Sequence, residues 1–284
     1  MGLLLRMFAL LSSGVSISRQ SAICVASLAV GSLTCNLLAD QPPKKIDIGN
    51  LPAEIVGEVV IPIPQEIFSS LDKLGHQNWK SHLMRKEAST DPNRSRTALV
   101  FGLVIAEGFI AVQAEDKDEV KRVGREVLML AEKLSVGDAV KGHAGAIVDG
   151  ANIGDWVSVR RELDRTRQTV INEMETNRDE ALSDMVSLGG WLGGTRVLSG
   201  VLAEHYDPEA SELLHQPDLV RRIQSRYLKL PQRSRSGSLF ASVEKVLETL
   251  TKVMKTDGEG KVPNESVQQI YELTSDLAAQ VFGK

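Results

Sequence analysis

The segment DEVKRVGREVLMLAEKL, residues 118–134, sets Val120, Val123, Val127, Leu130, Ala131 and Leu134 at alternating intervals of three and four. That spacing aligns apolar side chains along one face of a helix with 3.6 residues per turn. The same period returns at Trp156, Val159, Leu163, Thr166 and Val170, and again at Val267, Ile270, Tyr271, Thr274, Leu277, Ala278 and Val281. These three stretches decide the fold class: all-α, a multi-helix bundle or array. Composition agrees, since aromatic residues make up only 4% of the chain while Ala, Leu, Val, Glu and Arg are plentiful.

Working outward, Arg96 to Ala114 reads as a strongly apolar helix, and Asp116 or Asp118 caps the helix that follows. Gly137 breaks that run, a shorter helix around Asp138 to Val148 leads to Gly150, and Gly154-Asp155 opens the long helix of Trp156. Arg160 with Asp164, Glu162 with Arg165 and Asp164 with Arg167 lace the outer face of that helix. Such pairs contribute a few tenths of a kcal/mol each and read as a solvated surface. A second apolar helix, Glu180 to His205, carries Leu-Gly-Gly-Trp-Leu-Gly-Gly at 188–194. Asp207-Pro208 and Gln216-Pro217-Asp218 start short helices, with proline where a first turn tolerates it. Ser234 to Ser238 is a loop before a helix from Leu239 to Met254. Residues 256–263 form a linker, and Asn264 caps a C-terminal amphipathic helix, 264–284, that packs on the domain.

The helical domain is expected to span 65–255, beginning with a short helix from Gln65 to Leu74 stopped by Gly75, then a polar loop from Ser89 to Arg96. Before it, residues 40–64 hold Pro42, Pro43, Pro52, Pro62 and Pro64, which exclude a continuous helix and predict an extended, proline-rich arm. Val59-Val60-Ile61 is the one place in the arm for a short strand. An offset of 88 residues superposes Gly102 on Gly190 and the two apolar helices on each other, which raises an internal duplication of a helical hairpin. Neither the tetratricopeptide nor the ankyrin consensus is present.

Residues 1–39 contain Arg6, Arg19, long apolar stretches and no Asp or Glu. Arg19, the apolar run from Ala22 to about Leu33, the more polar Thr34-Cys35-Asn36 and the final Leu37-Leu38-Ala39 follow the order of a cleaved export signal. An organellar transit peptide is the alternative. A spanning anchor is disfavoured because Cys24, Ser27, Ser32 and Thr34 dilute the run. Lipid attachment at Cys35 and myristoylation also fit poorly, given Thr34, Ser32 and Arg6. Cleavage after Ala39 removes both cysteines, Cys24 and Cys35. Of 33 basic residues 31 then face 37 acidic ones, a net charge of −6. A general nucleic-acid binder is disfavoured on that ground.

No catalytic signature is found. The five histidines, His76, His82, His143, His205 and His215, show no i, i+4 pair, so no metal site and no cofactor is expected, and they read as surface or capping residues. The phosphate-binding loop, the dinucleotide fingerprint and the nucleophile elbow are absent as well. Gly189, Gly190, Gly193 and Gly194 instead suit the close approach of another helix, at about 1 kcal/mol of propensity each relative to Ala.

Glu107 and Arg196 are the lone charges within the two apolar runs. Buried and unpaired they would be costly, so they are expected to pair. The competing reading makes Glu107 an acid or base of raised pKa in an enzyme or small-molecule binder. Trp191 is a candidate ligand platform but suits a core filler better. From Leu219 to Val243 there is no acidic residue, whereas Arg221, Arg222, Arg226, Lys229, Arg233 and Arg235 are basic. Arg222 and Arg226 are therefore candidates for contact with an anionic envelope component or an acidic protein, although a solvated face explains them too. Asn93-Arg94-Ser95 and Asn264-Glu265-Ser266 are glycosylation acceptors only in a eukaryotic secretory route. The expectation is thus a periplasmic or secreted helical protein, without a stable membrane span after cleavage. It acts as a binding or structural component more readily than as an enzyme.

Overall fold

The computed structural model describes residues 78–88 and 92–283, together with the backbone of 53–56 and 59–62. The expected export signal, most of the arm and the helix expected at 65–74 lie outside the described residues. Within the arm, β1 (Ala53–Val56) and β2 (Val59–Pro62) pair antiparallel, with Ala53 opposite Pro62 and Val56 opposite Val59. The short strand at Val59 thus has a partner just upstream.

Eight helices longer than one turn follow among the described residues: α1 (Arg94–Gln113), α2 (Lys117–Lys133), α3 (Gly137–Ile153), α4 (Trp156–Thr176), α5 (Glu180–Glu204), α6 (Pro217–Lys229), α7 (Ser238–Val253) and α8 (Asn264–Phe282), with a single turn at Pro208–Ser211 between α5 and α6. The all-α reading holds. Each start has a local cause in several cases. Asn93 accepts the N–H of Arg96, Asp116 that of Glu119 and Asp155 that of Ser158, each satisfying an orphan donor of a first turn. Gly154, at φ +78°, closes α3 in the left-handed conformation that glycine adopts without strain. Asn264 does not cap: it is the first residue of α8, Pro263 precedes it, and no side-chain bond closes that end. Gly137 opens α3 instead of ending α2, and α3 runs on through Gly150 to Ile153, beyond the expected Val148. Glycine there serves packing, since a methyl on Gly150 would lie 2.8 Å from Val159 Cγ2 of α4.

The centre of the molecule is the pair α1 and α5, the two helices apolar on every side. Residues 97–112 of α1 and 195–202 of α5 are all buried, as helices without a polar face must be. By length and composition α1 is able to cross a membrane, but 94% of its apolar window is covered by the rest of the protein. The two helices run parallel: Arg94 meets Asp179, Gly102 meets Gly189 and Gly190, and Ala106 meets Gly193. A methyl on Gly102 would stand 2.1 Å from the Val186 carbonyl oxygen, and one on Gly189 2.2 Å from that of Leu99. The close approach therefore depends on Gly102, Gly189 and Gly193. Gly190 has only an ordinary contact, and Gly194 has no neighbour there within 4 Å.

Around this pair the other helices repeat an order. α2, α3 and α4 follow α1, and α4 returns to pack on α1 and α5; α6, α7 and α8 follow α5, and α8 returns to pack on α5 and α1. The two helices that superpose under the 88-residue offset are thus each the first of a run of four helices. The linker 256–263 is tied down. Val262 is fully buried, its N–H is bound by Ser211 Oγ and its carbonyl by Tyr206, while Lys261 reaches Glu209 and Glu212.

Candidate functional site

Glu107, midway along α1, and Arg196, midway along α5, face each other across the glycine-lined contact. Glu107 Oε2 lies 3.8 Å from Arg196 Nη2, and both side chains are buried. What completes the cluster is a third segment. The backbone from Trp79 to Lys86 crosses the two helices, and Glu107 Oε1 accepts the N–H groups of Met84 at 2.5 Å and Arg85 at 3.0 Å. Arg196 Nη2 donates to the His82 carbonyl at 2.6 Å. Arg122 of α2, held between Glu119 and Glu126, reaches the Lys86 carbonyl at 3.4 Å, and Lys80 pairs with Asp116 at 3.3 Å. Four charged groups, Glu107 of α1, Arg196 of α5, and Asp116 and Arg122 at the start of α2, thus strap this segment onto the core.

Electrostatics follow from burial. Desolvation pushes the Glu107 carboxyl above its ordinary range, against the bonds from Arg85 and Met84 and the charge of Arg196. The same desolvation lowers Arg196. His82, 3% exposed, is lowered chiefly by burial, with Glu204 3.6 Å away pulling in the opposite direction and Arg196 adding to the drop. Sequence reasoning found Glu107 and Arg196 but missed His82 and the strap. Residues 79–86 have no period, and the only hint was a Trp and a His in a polar stretch.

The other candidates are spread apart. Trp191 is half-buried and its Nε1 donates to Gln216 Oε1 at 3.1 Å, tying α5 to the start of α6. Three of the six basic residues of the strip pair with carboxylates lying outside it in sequence: Arg221 with Asp218, Arg226 with Asp184 and Arg235 with Glu244. Arg222 is half-buried on α6. A window of 25 residues does not see these charges, which the fold brings to it from outside. Two histidines also depart from the surface reading: His82 is buried, and His143 bridges α3 to Glu162 and Thr169 of α4. Among the described residues no three His, Cys, Asp or Glu side chains gather as a metal would require.

Two cavities lined by described residues bear on chemistry. An apolar one of about 10 Å³ lies between Ile105, Gly108, Ile147 and Leu163, and an open groove of about 760 Å³ lies where α1 and α5 begin; neither includes Glu107. Comparison of the chain with protein-family models gives no match, and no curated protein and no solved structure matches it.

Proposed function

We propose that the chain is an exported helical protein of the periplasm or cell envelope that acts as a binding or structural component, with Glu107 and Arg196 serving architecture. The observation behind this is the commitment of Glu107. Its Oε1 holds two backbone N–H groups, its Oε2 faces Arg196, and the carboxyl opens on neither cavity. A general acid or base must come within hydrogen-bond reach of a reacting proton. The alternative, an enzyme or small-molecule binder using Glu107, draws on the raised pKa of that carboxyl. Its partner as proposed is a protein or an anionic envelope component.

Replacing Glu107 with Gln tests the choice, since the amide oxygen still accepts from Met84 and Arg85. The architectural reading expects activity in the native host to fall only in step with measured stability. Complete loss of function in a variant of nearly unchanged stability would transfer the site to the enzyme reading.

A further inference from the structure

A second set of polar side chains stands away from the Glu107 cluster, between α3 and α4. His143 of α3 lies against two residues of α4: its Nδ1 is 2.5 Å from Glu162 Oε1 and its Nε2 is 3.1 Å from Thr169 Oγ1. An ionised carboxylate only accepts, so Nδ1 carries the ring proton, and in the neutral imidazole Nε2 is left to accept from the threonine hydroxyl. The order is hydroxyl, imidazole, carboxylate, in which the base touches the nucleophile and is itself oriented by a third group. Arg165 donates through Nη1 to the other oxygen of Glu162 at 3.1 Å. The bond from His143, joined by that from Arg165, holds the Glu162 carboxyl below its ordinary range against partial burial.

Thr169 differs from the other threonines of its helix. Thr166 and Thr176 return their hydroxyls to the carbonyls of Glu162 and Asn172 at 2.7 and 2.8 Å, a common habit of helical threonine, whereas that of Thr169 goes to His143. The three groups are also within reach of a solute. Thr169 is half-buried and the His143 side chain is 24% exposed. Around His143 on α3 stand Ala139, Gly142 and Ala146, none with more than a methyl, and Gly142 faces empty space. Arg165 precedes Thr169 by one helical turn, and its Nε and Nη2 take no part in the bond to Glu162. They bring positive charge within a turn of any oxyanion formed at Thr169.

We propose that Thr169, His143 and Glu162 form a hydrolytic site for short carboxylic esters. Thr169 Oγ1 attacks the ester carbonyl carbon while its proton passes to His143 Nε2. The bond to the alcohol oxygen then breaks, and the alcohol leaves with that proton. A water molecule, giving a proton to the same nitrogen, attacks the acyl-threonine, and the carboxylic acid departs as the proton returns to the Thr169 oxygen. His143 is the general base and then the general acid. Glu162 is a positioning residue that fixes the tautomer and orients the ring. A short acyl group suits the setting, because neither of the two cavities above includes Thr169 and the helix surface there encloses no long chain. The inference goes beyond the binding reading above and depends neither on export nor on Glu107.

The test uses the full chain with p-nitrophenyl acetate. Nitrophenolate release gives kcat and KM, and acid-quenched samples are digested and their peptides weighed for an added acetyl group. The expected result is turnover with acetyl on Thr169, both abolished in T169A and both retained in T169S. H143Q should lower turnover about a hundredfold, and E162Q should lower kcat by about tenfold or more with KM unchanged. Circular dichroism should be the same for every variant. Acetylation confined to lysines or to His143, turnover in T169A equal to that of the parent chain, or an E162Q variant as active as the parent overturns the site and leaves three side chains that only tie α3 to α4.

Discussion

At the scale of single residues, the charge of Glu107 and its hydrogen bonds separate experimentally. Removing one member of a buried pair strands the other, so E107L or R196M alone is expected to cost about 3–5 kcal/mol in chemical denaturation. The double variant E107Q/R196M should recover much of that, because Gln still holds the N–H groups of Met84 and Arg85. E107L/R196M should recover less, since it leaves both donors buried without an acceptor. Strictly additive losses across the cycle would show that the two groups do not interact. The neighbouring His82 gives a pH signature. Its pKa in the folded chain is below the ordinary 6.5, so its share of stability is present above that value and lost as pH falls through the lowered one. Glu107, raised above 4.5, has the opposite sign: its share grows as pH falls toward that value. Thermal midpoints measured from pH 7 to pH 5 should therefore decline less steeply in H82N than in the parent chain, and parallel curves would exclude His82 as a source of the slope. That the two lone charges pair was legible in the sequence because each interrupts an apolar run. The strap was not, because its side chains obey no period and its grip is on backbone atoms, which leave no mark on residue type.

At the scale of elements, the glycines of α1 and α5 sort by what stands opposite them. G102A and G189A would drive a methyl into backbone carbonyls that cannot rotate away. Their cost is expected at or above the about 1–3 kcal/mol usual for overpacking. G194A has open space and should be neutral or up to about 1 kcal/mol stabilising. Thermal denaturation of the three variants side by side checks the ranking, and equal effects would contradict the parallel contact. The sequence showed which residues were small but not which faced the neighbour, since helices apolar all round carry no stripe that marks an orientation. The amphipathic helices α2, α4 and α8 were read nearly to the residue because one face of each meets water. The pairing of Arg226 on α6 was not legible for the converse reason: Asp184, its partner, lies on α5, 42 positions away in the chain.

For the whole molecule, helix should dominate the circular dichroism of residues 40–284, and reducing agent should leave the thermal midpoint unchanged, because Cys24 and Cys35 both precede residue 40. The export proposal expects a mature N-terminus near Asp40 in protein from the native host, and mass spectrometry finding residues 1–39 retained in the cytoplasmic fraction would refute it. The pairing of α1 with α5 bears also on how the chain is made. Its central contact joins residues about 88 apart, so it cannot close until α2, α3 and α4 have been synthesised and α5 has followed. During that interval α1 lacks its chief neighbour and presents Leu99, Leu103 and Ala106 to whatever is nearby. A chain stopped at residue 177 should accordingly be sticky, bind a hydrophobic dye and aggregate, and adding residues 178–284 from a second polypeptide should restore solubility. Each half would then behave as the other's missing chaperone, and the order of translation becomes part of how this protein reaches its fold.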